Sequence, residues 1–461
     1  MHLYNFSQDT ICAIATAPGQ GGLAVVRVSG PESVSIVSQI LRSHKPLSKW
    51  SANYSGYGYI MDGEAVLDDV VVTKFVAPHS FTAEDTVEIS CHGSLYIQDK
   101  LLQILIDRGC RMAEPGEFTK RAFLNGRIDL SQAEAVADII SARSSESLKL
   151  ARQQAGGEYS KEFNSLADRL IELTSLMELE LDFSEEDVEF ADRDKLFSLC
   201  SSIYQRLSKL LQTYSTGNAI KEGVAVAIAG PANAGKSTLL NKLLGRDRAI
   251  VSDIAGTTRD TIEDTVVLDG ILFRLVDTAG LRDTSDTIEE IGIKRTYDEL
   301  KKADLILYVV DQSALDEAMI KNCTPILESI DNPMLLILNK SDKEREYQYS
   351  KPLQWKEYET MELSAKYSDD LVDLKSWLVA KAKLPGNGND VVVSNTRHYE
   401  ALSKAADALK RVIDGLQMGI TADFLSPDLR ICIDHIEEVT GRRISSDTIL
   451  HHIFSHFCIG K

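Results

Sequence analysis

The sequence predicts a multidomain chain that combines α+β with α/β organisation. An N-terminal mixed α/β domain leads into a helical bundle, and a parallel sheet flanked by helices is inserted into that bundle. Three observations predict this. The 461 residues exceed what one hydrophobic core serves, so about two to four domains are expected. The apolar run Val224–Ala229 enters a glycine-bearing loop and then Thr238–Leu244, the strand–loop–helix order of an α/β unit. Apolar residues repeat at helical spacing from Gly116 to about Tyr214, and again from Thr396 onward. The expected domains are 1–124, 125–215, 216–384 and 385–461, with the second and fourth forming one bundle around the third.

In chain order, Thr10–Thr16 and Leu23–Val28 read as strands around the turn Pro18-Gly-Gln-Gly-Gly22. Gly19, Gly21 and Ala24 match a dinucleotide fingerprint in form only, since a strand follows and no acidic residue lies at the required distance. Val70–Val76 and Asp85–Ser90 read as further strands, and Tyr96–Arg108 as a helix carrying Ile97, Leu101, Leu102, Leu105 and Ile106 on one stripe. Ser80–Asp85 and Cys91-His92-Gly93 read as turns. Ala133, Val136, Ala137 and Ile140 mark one helix; Leu166, Leu170, Leu173 and Leu176 mark another. The acidic run Asp182–Glu189 reads as a solvated loop before Lys195–Leu211, and Thr213–Asn218 as a linker. Pro385–Asp390 closes the inserted domain, and Ala401, Leu409, Val412 and Leu416 resume a helix.

The inserted domain carries the chemistry. Gly230-Pro-Ala-Asn-Ala-Gly-Lys-Ser237 has the P-loop spacing. Its glycines let successive N–H groups of Asn233, Ala234, Gly235, Lys236, Ser237 and Thr238 turn toward phosphate oxygens. Lys236 supplies charge to the β- and γ-phosphates, and the Ser237 hydroxyl a ligand for Mg2+. Asp277-Thr278-Ala279-Gly280 follows the strand Ile271–Val276, where an acid holds the magnesium water shell. Asn339-Lys340-Ser341-Asp342 follows the strand Met334–Leu338. Asp342 can accept from both N1–H and the amine of guanine, whereas adenine would leave the carboxylate unpaired. Ser364-Ala365-Lys366 places a backbone N–H within reach of the guanine carbonyl oxygen. Four elements in this order predict a Ras-like P-loop GTPase domain that takes GTP.

Two details set this domain apart. Leu281 stands where Ras-type proteins carry the glutamine that orients water, and the sequence offers no arginine finger. Asn233 lies inside the phosphate loop, and Ser252–Asp260 follows it. An amide oxygen there can help hold a monovalent cation at the place of an arginine, or it can simply cap a turn.

Composition narrows the partners. A net charge of −19 repels nucleic acid at long range, so any RNA contact is local or is shared with another protein. The basic segment holding Arg108, Arg111, Lys120, Arg121 and Arg127 is the expected local contact. Seven scattered cysteines predict reduced thiols and a cytoplasmic protein. No apolar run approaches the roughly 18 residues that span a bilayer, and Met1–Asp9 lacks the pattern of a signal peptide. His451, His452, His456 and Cys458 lack the spacing of a zinc site, and the last residues do not fit a prenylation signal.

Pro18–Gly22, Ser80–Asp85, Pro115-Gly-Glu-Phe118, Arg121-Ala-Phe-Leu-Asn125, Gly256–Asp260, Asp277–Arg282 and Cys458-Ile-Gly-Lys461 together resemble, over the full length, the tRNA-modification GTPase family MnmE (TrmE). The resemblance implies an N-terminal folate-binding domain that also dimerises, and a homodimer that works with an FAD-bearing protein of the MnmG (GidA) family. It implies addition of an aminomethyl-type group (carboxymethylaminomethyl or aminomethyl) to C5 of the wobble uridine of certain tRNAs, with the one-carbon unit taken from 5-formyl- or methylene-tetrahydrofolate. On the family pattern Arg27, Glu84, Arg127 and Lys461 fall at folate contacts; Arg127 departs from the lysine that relatives can carry, which keeps charge and changes contact geometry. Asn233, Ser252, Ile254 and Thr257 fall at K+, and Ser237 and Thr258 at Mg2+, with Ser252, Thr257 and Thr258 also at GTP. Glu289 would position the attacking water, although Thr287-Ile-Glu-Glu290 also fits a helix capping box. Cys458 would be a catalytic or a structural thiol near the folate. A second class, an RNA-binding GTPase of ribosome assembly without modification chemistry, usually adds a KH module or a second P-loop, and the sequence carries neither.

Overall fold

The computed structural model describes residues 9–182, 193–247, 264–277, 300–344, 355, 357–367, 371–382, 391–442, 450, 453–455, 457 and 460. The chain divides into two compact units. One comprises 1–140, 152–203 and 404–461; the other comprises 141–151 and 204–403.

The first unit opens with a seven-stranded sheet built from β1 (Thr10–Ile14), β2 (Leu23–Ser29), β3 (Leu41–Ser43), β4 (Tyr54–Asp62), β5 (Ala65–Phe75), β6 (Thr86–His92) and β7 (Cys110–Met112). The strand order is β3-β4-β5-β6-β2-β1-β7, antiparallel except for the β1·β7 pair. Alternation along β5 sets its two faces: Val70 and Val72 are buried while Val71 between them is 46% exposed. The buried face packs against α1 (Ser33–Ile40) and α2 (Leu95–Asp107) through Val26, Val28, Ile36, Val72, Ile89, Leu101 and Leu105. α1 and β4 were not legible in the sequence. α1 is rich in serine and valine, both modest helix formers, and β4 carries two glycines that weaken its strand pattern.

On the opposite face, α3 (Glu117–Leu124) sets Phe118 against Ile11 and Ala13. The helices α4 (Leu130–Ser141), α5 (Ser145–Ala155), α6 (Glu158–Asp182) and α7 (Arg193–Gln212) follow in the chain, with residues 145–151 of α5 and 204–212 of α7 grouping with the second unit. α6 packs on the helix Ala422–Thr440, with Tyr159, Phe163, Leu166, Leu170 and Leu173 buried at the expected i, i+3/i+4 spacing. Arg442 and Asp168 close this pair with an ion pair at 2.9 Å.

The second unit holds a six-stranded sheet: β8 (Val224–Ala229), β9 (Asp264–Leu268), β10 (Ile271–Asp277), β11 (Leu305–Asp311), β12 (Met334–Asn339) and β13 (Glu359–Glu362). The order is β13-β12-β11-β8-β10-β9, parallel except for the β9·β10 hairpin. Both faces are buried, so β8 is apolar throughout and β11 and β12 are largely apolar up to their last residues, Asp311 and Asn339. Val226 and Ile228 point to one core, and Ala227 and Ala229 to the other. α8 (Tyr214–Glu222), α9 (Lys236–Asp247) and the helices Glu317–Glu328 and Val372–Lys381 belong to this unit, and the helix Thr396–Gln417 begins in it. The expected linker Thr213–Asn218 is instead the start of α8. Thr213 keeps that turn helical because its hydroxyl donates to Leu210 O at 2.6 Å.

Candidate functional site

β8 delivers the chain into the loop before α9. Gly230 (φ +135) is required there, because a Cβ would lie 2.0 Å from Val309 O. Gly235 (φ +99) is required likewise, since its Cβ would lie 2.2 Å from Asn339 Nδ2. Asn233 also takes a left-handed φ of +62. This alternation curls backbone amides toward one concavity at the N-terminus of α9, the arrangement that holds phosphate. Lys236 is buried, and its Nζ donates to Gly230 O at 3.0 Å and Pro231 O at 2.7 Å, so its charge is held at the rim of the loop.

Three loops at the carboxyl ends of β8, β12 and β13 are wired together. Asn339 is 2% exposed; its Nδ2 donates to Ala234 O at 2.7 Å and its Oδ1 accepts the Ala365 N–H at 2.9 Å. The Ala365 N–H, within the turn expected to offer a backbone donor, therefore already has a partner in Asn339. The Ser364 hydroxyl donates to Asp342 Oδ1 at 2.6 Å and aims that exposed carboxylate. Lys340, at φ +63, donates through Nζ to Asn233 O at 2.8 Å and to Asp311 Oδ2 at 2.5 Å. Burial pushes the Asp311 carboxyl up, but hydrogen bonds from Lys340 and Ser313 outweigh it and hold the group below the usual range. Sequence reasoning missed Asp311; the signal was the apolar run Leu305–Val310 ending in an acid, the same pattern as at Asp277.

Asp277 is the last residue of β10, paired with Ile228 of β8. Ser252, Ile254, Thr257, Thr258, Thr278, Ala279, Gly280, Leu281, Glu289, Cys458 and Lys461 lie outside the described residues. So do His451, His452 and His456.

In the first unit, Arg27 and Glu84 sit on the sheet face that carries α3. The Arg27 guanidinium pairs with Glu88 at 2.8 Å and lies 5.3 Å and 5.5 Å from the ring centres of Phe81 and Phe118. Glu84 accepts from the Ser29 hydroxyl at 2.8 Å and from Arg121 Nη1 at 3.3 Å. Arg121 is itself nearly buried between Glu84, Glu117 and Asp9, with the Asp9 contact at 2.7 Å. Burial opposes its charge, and the carboxylates Glu84 and Glu117 more than restore it. Arg127 is exposed on the turn after α3, and Asn125 of that turn donates to Thr82 O at 2.7 Å, fixing it beside the Glu84 loop. The C-terminal segment also reaches this face. A Cβ on Gly116 would lie 2.7 Å from Phe454 O, and one on Gly460 would lie 2.1 Å from Ile14 O. Arg111 pairs with Asp9 and Glu117, so two members of the expected basic segment, Arg111 and Arg121, are neutralised within the unit.

One cluster elsewhere has metal-capable groups among the described residues. Asp68, Asp69 and His92 bring ligand atoms within 4.8 Å of one another. His92 Nδ1 already meets Asp68 at 2.7 Å, which raises the imidazole above its ordinary value, and Tyr57 donates to Asp69 at 3.2 Å. Among the described residues no helix is long and apolar enough to cross a membrane.

A parallel sheet whose central strand feeds a phosphate loop, with the Asn339–Asp342 loop tied to it through Asn339, defines a P-loop GTPase. The remainder of the chain says which kind. Residues 10–127 match the family model described as GTP-binding protein TrmE N-terminus, and residues 130–458 match the MnmE helical domain. The chain is 50% identical to the tRNA modification GTPase MnmE of Porphyromonas gingivalis, covering 100% of this chain and 99% of that one. It is likewise 50% identical to the MnmE of Bacteroides thetaiotaomicron, over 99% of this chain and 100% of that one. The chain belongs to the tRNA modification GTPase MnmE family.

Proposed function

We propose that the protein is a potassium-dependent GTPase that works as a cytoplasmic homodimer with an FAD-containing MnmG (GidA) family protein. Together they add an aminomethyl or carboxymethylaminomethyl group to C5 of the wobble uridine of certain tRNAs, using a tetrahydrofolate one-carbon unit. Family membership supports the tRNA and GTP parts of this reading. The single observation that carries the folate part is the set of groups around Glu84. A carboxylate fixed by Ser29 and Arg121 faces a surface also reached by Arg27, by the Arg127 turn and by the C-terminal segment.

That donor and acceptor set fits a reduced folate. The pteridine presents a hydrogen-donating edge suited to Glu84, and a cation at Arg127 suits the glutamate tail. Arg27, set beside Phe81 and Phe118 and paired with Glu88, offers pre-positioned N–H donors without conformational search. Lys461 and Cys458 would complete the site from the C-terminal segment. When bound, the folate supplies the one-carbon unit; the chain's own groups orient it and neutralise its carboxylates.

In the other unit, Lys236 and the loop amides would hold the β- and γ-phosphates, Asp342 would select guanine, and Ser237 and Thr258 would hold Mg2+. Asn233, Ser252, Ile254 and Thr257 would hold K+, which would supply positive charge where other GTPases use an arginine. Glu289 would orient the attacking water in place of the glutamine that Leu281 displaces. The test compares initial GTP hydrolysis in KCl and NaCl at matched ionic strength, beside calorimetry of the full chain with 5-formyltetrahydrofolate. A rate in K+ at least tenfold above that in Na+, on the order of 1.4 kcal/mol of barrier, together with saturable folate heat, is the expected result. Equal rates would overturn the potassium assignment, and absence of heat the folate assignment.

A further inference from the structure

The β9·β10 hairpin turns at Asp269-Gly270, with φ of +47 and +80, the left-handed pair of a tight two-residue hairpin. Its two strands lead straight into the nucleotide loops. β9 starts at Asp264, after the stretch that carries Ser252 and Thr258, and β10 ends at Asp277. β10 pairs with β9 along its length, so the two strands move as one ribbon whose tip is Gly270.

The tip meets the start of α5. The Glu146 N–H donates to Gly270 O at 3.3 Å, and a Cβ at position 270 would lie 2.2 Å from Ser145 Oγ. That helix end is stiff. Ser144 Oγ accepts the Ser147 N–H at 3.1 Å while Ser147 Oγ accepts the Ser144 N–H at 3.2 Å, a reciprocal cap. Residues 141–151 accordingly group with the nucleotide-binding unit, although the sequence on either side of them groups with the other. The last residues of α5 belong to that other unit. There Gln154 Nε2 donates to Ser131 O at 2.8 Å, and Ala155 O accepts from Gln132 Nε2 at 3.0 Å. Ser131 and Gln132 lie just past the Arg127 turn in the sequence. Within the nucleotide-binding unit, Val393 N–H donates to Thr213 Oγ1 at 2.9 Å and the rings of Tyr214 and Tyr399 stack at 4.3 Å.

We propose that the contact between the Asp269-Gly270 turn and the start of α5 reads the nucleotide state. It is made in one state and released in the other, and α5 passes the difference to the beginning of α4. The proposal rests on the GTPase reading, and it is independent of the folate.

Deuterium exchange over residues 141–151 of the full chain tests it, in K+ and Mg2+, with GDP and with a non-hydrolysable GTP analogue. Exchange of this segment should differ about tenfold between the two states, as expected when a local contact opens. Gly270→Asn keeps a left-handed turn, which asparagine tolerates, but sets a side chain into Ser145. In that variant the segment should exchange fast in both states while GTP hydrolysis stays within about twofold of the parent. Adding Ser145→Gly makes room and should restore the difference. Ser145→Leu tests the same contact with the hairpin sequence unchanged, should Gly270→Asn weaken the fold. Equal exchange over 141–151 in the two states of the parent protein overturns the proposal, as does a Ser145→Leu protein that keeps the nucleotide-dependent difference. Binding of a fluorescent guanine nucleotide in the same samples separates failure of this contact from failure of the GTPase reading.

Discussion

Asp342 and Glu117 show how much one carboxylate's surroundings decide. Asp342 is aimed by Ser364, and as an acceptor of two hydrogens it matches guanine. Asp342→Asn replaces one acceptor oxygen with a donor, which suits xanthine, whose C2 bears a carbonyl. GTP affinity should fall by about 10^3 or more while XTP affinity rises, as competition against a fluorescent guanine nucleotide would reveal; unchanged GTP preference would remove the assigned role. Glu117 is different: it bonds to Arg111 at 2.6 Å and Arg121 at 3.1 Å. Burial raises its carboxyl, but Arg111, the Glu114 N–H and the charge of Arg121 together hold it below its usual 4.5. A depressed carboxyl contributes stability that is present above that value and lost as pH falls through the folded value. Glu117→Gln should therefore flatten the acid limb of thermal unfolding, and at neutral pH cost roughly 3 kcal/mol by leaving Arg121 underpaired. An acid limb identical to the parent's would contradict this.

Among elements, the phosphate loop was the most legible in sequence, because glycine spacing there is dictated by close approach to Val309 and Asn339. The Asn339–Asp342 motif was legible because it follows an apolar strand, whereas Ser364–Lys366 follows the polar strand β13 and was legible only by its place in the order. Long-range partners were not legible. That Asn339 ties the phosphate loop to Ala365, or that Arg121 lies between three acids, depends on side-chain geometry that no local pattern encodes. The Pro115–Phe118 string was visible, and the structure gives it a physical reason. Gly116 caps α3 at φ +68, where a Cβ would lie 2.7 Å from Phe454 O and 2.9 Å from Phe457 Cβ. Gly116→Ala should cost about 1–3 kcal/mol in backbone strain, plus displacement of the C-terminal segment. Folate binding by calorimetry should weaken while GTP hydrolysis persists; full folate affinity in this variant would detach the C-terminal segment from the site.

For the whole molecule, charge and connectivity set the expectations. A chain of net charge −19, with Arg111 and Arg121 paired internally, has little cationic surface to offer in that segment. Binding of tRNA by the isolated protein should be weak and should fall steeply between about 50 and 200 mM salt; tight, salt-insensitive binding in a filter or mobility assay would refute a shared RNA site. The broad division into a sheet domain, helices and an inserted nucleotide domain follows from periodicity and was readable in advance. The grouping of 141–151 with the nucleotide unit was not, because the hydrogen bond from Glu146 to Gly270 and the approach of Gly270 to Ser145 join residues far apart in sequence. The central claim is that this GTPase serves wobble-uridine modification. Mass spectrometry of nucleosides from tRNA tests it most directly, using cells lacking the protein and cells restored with either the parent chain or Lys236→Ala. The account predicts loss of the C5-aminomethyl-type uridines without the protein, recovery with the parent and no recovery with Lys236→Ala. Unchanged wobble uridines in the deleted cells would contradict it.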